Sequence, residues 1–255
     1  MLDCVMSIND NDTVHGEKSE IRGVILDFWN TLVYDLPLIE KKRREDRISR
    51  LHTVISLSGH VITRKQLSYA YDGISSMIRR KARDQRGVSV KEQIRVFNEV
   101  LRIKVNNSIL AKEIEAYNKA GIIYISPEVP GSRRLVERLS RRYRLGLISN
   151  TERLSGEMIL RAYPELLSRI RYTYFSDNQG YRKPHKKSFL SMLNNMNLEP
   201  EECVMVGDDE NKDCISAEEI GMKAVLFANP ITGKSSDYSP QITSLLELPA
   251  MIQRL

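Results

Sequence analysis

The sequence predicts an α/β protein, a parallel sheet flanked by helices, interrupted after its first strand by a wholly helical block. Three observations carry this. A short Val/Ile run opens the ordered part of the chain and ends at Asp27, as a buried strand does on meeting a loop. Residues 36–125 then show only helical spacing with capping residues between segments. After Pro127 and Pro130, strand and helix patterns alternate as far as residue 227, which indicates parallel strands joined by crossover helices.

In order along the chain, residues 1–20 are polar and acidic and read as a flexible tail, without the basic flank and apolar run of a signal peptide. IRGVILDFWNTLV from Ile21 supplies the first strand. Residues 38–58 place Ile48, Leu51 and Ile55 at helical spacing, with Gly59 as a stop. Thr63 caps a second helix running to about Arg86 and ending near Gly87, and Ser89 caps a third carrying Val90, Ile94, Phe97 and Leu101. A fourth spans 108–120 and ends at Gly121. The alternation that follows is helix 131–142, strand 143–149, helix 152–161, strand 171–176, helix 185–196, strand 202–207, helix 211–220 and strand 223–227. The domain division is therefore a core of 21–35 and 126–255 with a helical insertion at 36–125.

Composition excludes several classes. The chain has 255 residues and three cysteines, Cys4, Cys203 and Cys214, too few and too scattered for a disulfide scaffold or a zinc site, so a reducing cytoplasm is expected. The apolar stretch 23–33 contains Asp27 and is too short to span a bilayer. No G-x-G-x-x-G, G-x-x-x-x-G-K or H-E-x-x-H occurs. The formal charge of +6 is uneven: the insertion holds 19 Lys or Arg against 9 Asp or Glu, the remainder 20 against 24. The clusters KKRRED at 41–46 and RRKARDQR at 79–86 read as solvated helix faces, so nucleic acid is not the expected partner. Nothing in the sequence fixes the oligomeric state.

Chemistry in an open parallel sheet collects at the carboxyl ends of the strands. Three predicted strands end in polar groups there: Asp27 in VILDFWNT, Ser149 and Asn150 in LGLISNT, Asp208 and Asp209 in VMVGDDENKD. Each alone reads equally as a turn or cap residue. Together, carboxylates from separate strands suit an oxygen-liganded divalent cation such as Mg²⁺.

These pieces occur in the order of the four motifs of the haloacid dehalogenase superfamily, which the chain resembles: Asp27 to Thr31, Ser149, Lys183 in GYRKPH, and Asp208 with Asp213 in VGDDENKD. The resemblance implies a Rossmann-like core and makes the insertion a first-type helical cap. It implies a phosphatase acting on a small anionic phosphorylated substrate, with Asp27 as nucleophile, and Thr31, Ser149 and Lys183 binding the transferring group. Asp27, the Trp29 carbonyl, Asp208 and Asp213 are the implied Mg²⁺ site, and Trp29, Asn30 and Asn150 the implied substrate contacts.

One position departs from that pattern. Superfamily phosphatases place a second aspartate, the general acid and base, two residues after the nucleophile; here Trp29 stands there, and indole carries no group that titrates usefully. The readings left open are a leaving group that needs little protonation, such as an acyl phosphate, an acid recruited from the cap (His52 or His60) or from the substrate, a 2-haloacid dehalogenase, a phosphonate hydrolase using a cap lysine, and a binding or regulatory protein that has lost turnover. Dehalogenation is disfavoured because Asp208 beside Asp27 requires a cation between them.

Overall fold

The computed structural model describes residues 20–151, 154–233 and 235–255; Cys4 and the expected tail, apart from Glu20, lie outside them. β1 (Gly23–Leu26), β2 (Arg144–Ser149), β3 (Tyr172–Phe175), β4 (Cys203–Gly207), β5 (Lys223–Phe227) and β6 (Gln241–Ile242) form one parallel sheet in the order β3-β2-β1-β4-β5-β6. Both faces are covered, and side-chain direction alternates between them. Val24, Leu26, Leu147, Val204, Val206 and Val225 enter one core cluster, while Ile25, Ile148, Met205 and Ala224 enter the other. β1 lies between β2 and β4, and the connections leave its two sides in opposite senses, the arrangement that opens a crevice at the strand ends.

Between β1 and the rest of the sheet run α1 (Pro37–Leu57), α2 (Arg64–Arg83), α3 (Val90–Leu101) and α4 (Asn107–Ile123). They enclose a hydrophobic cluster of their own, including Leu51, Ile55, Leu67, Ile74, Ile94 and Phe97. Thr63 and Gln66 form a reciprocal capping box, and the Ser89 hydroxyl accepts from the Glu92 amide. Gly59 follows α1 at φ 90°, a left-handed value that glycine adopts without penalty.

Gly121 does not stop α4, which continues to Ile123. A Cβ there would lie 2.0 Å from Leu154 Cδ1, so the residue lets the helix approach the core closely. Gly121→Val is expected to destabilise the protein by about 1–3 kcal/mol through overpacking, measured by chemical denaturation.

The remaining helices are α5 (Ser132–Leu139), α6 (Gly156–Ala162), α7 (Pro164–Leu167), α8 (Ser176–Gln179), α9 (Lys186–Met196), α10 (Ser216–Glu218) and α11 (Leu248–Ile252). The expected helix 152–161 starts only at Gly156, capped by the Ser155 hydroxyl. The expected helix 211–220 is a π-helical turn, Glu210–Ile215, leading into α10. β6 was not expected: two residues carry no periodicity, and pairing with β5 defines them. The run at 41–46 is not a uniformly solvated face. Arg43 within it, like Arg47 just beyond it, is 1% exposed, and Arg43 donates to the Tyr124 carbonyl at 2.9 Å and to Ser126 Oγ at 3.1 Å. Cys203 and Cys214 are buried free thiols. Among the described residues no helix is long and apolar enough to cross a membrane.

Candidate active site

The carboxyl ends of β1, β2 and β4 meet around Asp27, which is 6% exposed. The chain leaves β1 in a tight turn. Phe28 O accepts from the amides of Leu32 and Val33, and Asn30 sits at φ 59°, a conformation asparagine tolerates. The turn returns Thr31 to the strand end, where its hydroxyl donates to Asp27 Oδ2 at 3.2 Å.

Lys183 arrives from the loop before α9. Its ammonium, on a residue only 2% exposed, lies 2.5 Å from Asp27 Oδ1 and 2.5 Å from Asp213 Oδ1. The Asn150 side chain holds this loop at both ends of one residue: Nδ2 donates to the Lys183 carbonyl at 3.0 Å, and Oδ1 accepts from its amide at 2.9 Å. Asp213 reaches the cluster because Gly207 leaves room; a Cβ at Gly207 would lie 2.1 Å from Asp213 Oδ2. That same oxygen accepts from the Asp209 amide at 3.1 Å.

Carboxylate oxygens of Asp27, Asp208 and Asp213 all lie within 4.8 Å of one another. Burial pushes the Asp27 carboxyl up to about 7; Lys183 pulls it down, while Asp213 and Asp208 push it further up. Burial pulls Lys183 down in turn, but Asp213 and Asp27 outweigh it and hold the ammonium above its ordinary value. Ser149 Oγ is buried at the end of β2 and has no hydrogen-bond partner, so its donor is not spent within the protein.

A cavity of about 210 Å³ opens over this cluster. Of the residues expected from the sequence, Asp27, Trp29, Asn30, Asn150, Lys183, Asp208 and Asp213 line it, while Thr31 and Ser149 are buried beside it. Trp29 packs edge-on against Phe28, ring centroids 4.8 Å apart, with the Arg43 guanidinium 5.7 Å from its ring. Asn30 Oδ1 accepts from the Asp35 amide at 2.9 Å within the loop, and the Asn30 carbonyl accepts from Asn229 Nδ2 at 2.6 Å.

Asp209, read from the sequence only as a strand-end residue, also lines it, and three lining residues were not anticipated: Asp35, Arg182 and Lys212. Arg182 and Lys212 adjoin the expected Lys183 and Asp213 in sequence; Asp35 comes back to the cavity only through the Asn30 turn. His52, His60 and the eight lysines of the insertion (Lys41, Lys42, Lys65, Lys81, Lys91, Lys104, Lys112 and Lys119) do not line this cavity. His185 Nδ1 accepts from the Lys187 amide at 3.1 Å and caps α9.

The chain is similar to known proteins in sequence and in shape. A glyceraldehyde 3-phosphate phosphatase from Pyrococcus furiosus is 36% identical over 129 residues, covering 50% of this chain and 52% of that protein. The match thus spans about half the length of these curated relatives. Another protein of that name, from Methanocaldococcus jannaschii, is 23% identical over 92% of this chain and 98% of its own length. The crystal structure of a 2-haloacid dehalogenase from Pseudomonas syringae superposes with a TM-score of 0.65 at 17% identity, covering 92% of this chain and 99% of the other. The family model for haloacid dehalogenase-like hydrolases matches residues 21–221, the span that carries the acid cluster, Lys183 and Ser149, and the chain belongs to that family.

Proposed function

We propose that this protein is a phosphatase that forms a covalent aspartyl-phosphate at Asp27 and uses Mg²⁺, with residues 36–125 acting as a cap over the site. The observation that carries the reading is the convergence of a buried carboxylate nucleophile, a buried ammonium and an unpartnered serine hydroxyl at adjoining strand ends. Asp27 attacks phosphorus, and the bond from phosphorus to the leaving oxygen breaks with its electron pair on that oxygen. Water then cleaves the acyl phosphate, releasing phosphate and restoring Asp27. Ser149, Lys183 and Thr31 donate to the group in transit or orient the carboxylate that receives it. Asn150, its amide committed to Lys183, is a positioning residue for that lysine.

The residues present fit a divalent cation. Three carboxylates have oxygens within 4.8 Å of one another, and Lys183 is paired with two of them, Asp27 and Asp213; clustered carboxylate oxygens are the kind of donor Mg²⁺ takes. Asp27, Asp208 and Asp213 with the Trp29 carbonyl would hold it, and when bound it neutralises charge on the phosphoryl oxygens. The uneven charge of the chain supports an anionic small-molecule substrate drawn toward the basic insertion, and the three scattered cysteines support a reducing cytoplasm.

The purified chain with Mg²⁺ is expected to release phosphate from at least one member of a panel of acyl, sugar and aryl phosphates, with Asp27→Asn inactive. No release from any member would remove this reading.

Trp29 favours a second reading, a binding or regulatory protein that keeps the fold without efficient turnover. Trp29→Asp separates the two. If the machinery is otherwise intact, the variant gains about 10²–10⁴-fold in kcat on alkyl phosphates, whose leaving oxygen needs a proton, and little on acyl phosphates. Absence of gain on both classes, with wild-type activity also absent, favours the binding protein. A cap-lysine phosphonate hydrolase is the weaker alternative, because no insertion lysine lines the cavity.

A further inference from the structure

The most arginine-rich part of the chain lies away from Asp27. Residues 131–144 and 168–172 together hold eight arginines and no lysine against one carboxylate, Glu137, although the core as a whole is net acidic. The fold brings the two segments together, because they lead into the paired strands β2 and β3. A cavity of about 480 Å³ opens between them, with Tyr143, Arg144, Arg169, Arg171 and Tyr172 in its walls. Arg144 is the first residue of β2 and Tyr172 the first of β3, whereas Ser149 ends β2 at the acid cluster. The cavity therefore stands at the opposite end of the sheet from Asp27, a strand length of about 20 Å away.

Three of the eight arginines are committed. Arg133 pairs with Glu128 and Glu165, Arg141 with Glu137, and Arg144 Nη1 donates to the carbonyls of Met196 at 2.7 Å and Asn197 at 3.0 Å. Arg134, Arg138, Arg142, Arg169 and Arg171 are exposed and make no ion pair or side-chain hydrogen bond among the described residues. Soluble surfaces ordinarily intersperse the two signs of charge; here like charges gather without a carboxylate to offset them. Arg169 and Arg171 flank Ile170, which is 7% exposed and turned into the core, so both guanidinium groups emerge at the cavity. The walls also carry aromatic rings. Tyr143 packs on one core cluster and Tyr172 on the other, each only partly buried, and neither hydroxyl has a hydrogen-bond partner among the described residues.

We infer that this cavity binds a nucleoside polyphosphate, with Arg169 and Arg171 on the phosphates and a tyrosine ring against the base. Guanidinium groups meet phosphate oxygens in bidentate pairs, which an ammonium cannot do. Every base offers a face that stacks on an aromatic ring. The volume lies in the range of small-molecule sites, about 300–1,000 Å³. The site is separate from the acid cluster, and the inference is independent of the phosphatase reading.

The test is equilibrium binding of ATP, tripolyphosphate and a single-stranded oligoadenylate to the full chain in chelator. Without metal the clustered carboxylates at Asp27 repel phosphates, so binding there does not contribute. One equivalent of ATP is expected to bind, about tenfold or more tighter than tripolyphosphate, the worth of one stacked base. Arg169→Gln with Arg171→Gln should weaken ATP by about 10- to 100-fold, as the loss of charge-assisted hydrogen bonds does. Both residues are exposed, so the melting temperature of the double variant should match the wild type. No saturable ATP binding at millimolar concentration overturns the inference, and so does equal affinity of the wild type and the double variant. Tripolyphosphate binding as tightly as ATP overturns the nucleoside assignment, and oligoadenylate binding more than tenfold tighter than ATP overturns the free nucleotide in favour of nucleic acid.

Discussion

Asp27→Asn is expected to abolish phosphate release and, in metal-free buffer at pH 8, to raise the melting temperature. Both effects come from one arrangement. The carboxylate is the group proposed to attack phosphorus, and an amide cannot take that role. The same carboxylate is buried beside Asp213 and Asp208 and shares the Lys183 ammonium with Asp213. Its folded pKa of about 7 against an ordinary 3.8 means that the folded state holds the proton more tightly than the unfolded one. The stability tied to that proton is complete below about pH 4 and lost as pH rises through about 7. Asparagine carries no such loss and leaves Lys183 paired with Asp213. A gain of about 1–3 kcal/mol at pH 8 follows, roughly 2–4 °C per kcal/mol for a chain of this size. It should shrink toward pH 5, where Asp27 is protonated anyway. Calorimetry at the two pH values in chelator checks it. Mg²⁺ should stabilise the wild type more than the variant, by about 2.7 kcal/mol at a hundredfold excess over the dissociation constant for a protein that binds it only when folded.

Lys183→Met goes the other way. Methionine preserves most of the buried volume but leaves Asp27 and Asp213 facing each other with no cation between them. Removing one partner of a buried ion pair costs about 3–5 kcal/mol because the remaining charge is uncompensated. At neutral pH without metal the variant should therefore melt far below the wild type, on the order of 6–20 °C. The deficit should narrow on acidification, as the carboxylates accept protons, and on addition of Mg²⁺. Activity should fall by at least about 10²-fold even where the variant is folded, since a donor to the phosphoryl oxygens is gone. Thermal melts across pH with and without Mg²⁺, paired with phosphate-release assays below the melting range, check both parts.

The sheet was legible because each of its longer strands is a continuous apolar run that ends in polar residues, and Asp27, Ser149 and Asp208 mark three such ends directly. The helical insertion was legible through its caps, Thr63 and Ser89. What the sequence did not yield depends on partners far along the chain. Arg43 looks like a surface residue in a basic run until Tyr124 and Ser126 supply its acceptors. Gly121 looks like a stop until Leu154 supplies the reason for its missing side chain. Asn150 reads as a candidate ligand, yet its amide is spent on the Lys183 backbone, 33 residues away. The π-helical turn at Glu210–Ile215 was invisible for a related reason: a turn widened around Asp209 and Asp213 has no periodic signature in so short a segment.

The uneven charge of the chain also takes a more specific form. Part of the basic excess of the insertion is internal, in Arg43 and Arg47, and holds the helices together.

The most direct test is chemical capture of the covalent intermediate. Protein mixed with Mg²⁺ and a hydrolysed phosphate ester, quenched within the first turnovers and reduced with borohydride, converts an aspartyl-phosphate to homoserine, which peptide mass spectrometry locates. The account predicts homoserine at position 27 and at no other aspartate, and none when the ester is omitted. Steady hydrolysis with Asp27 recovered unmodified, or with the label at Asp208 or Asp213, would contradict it.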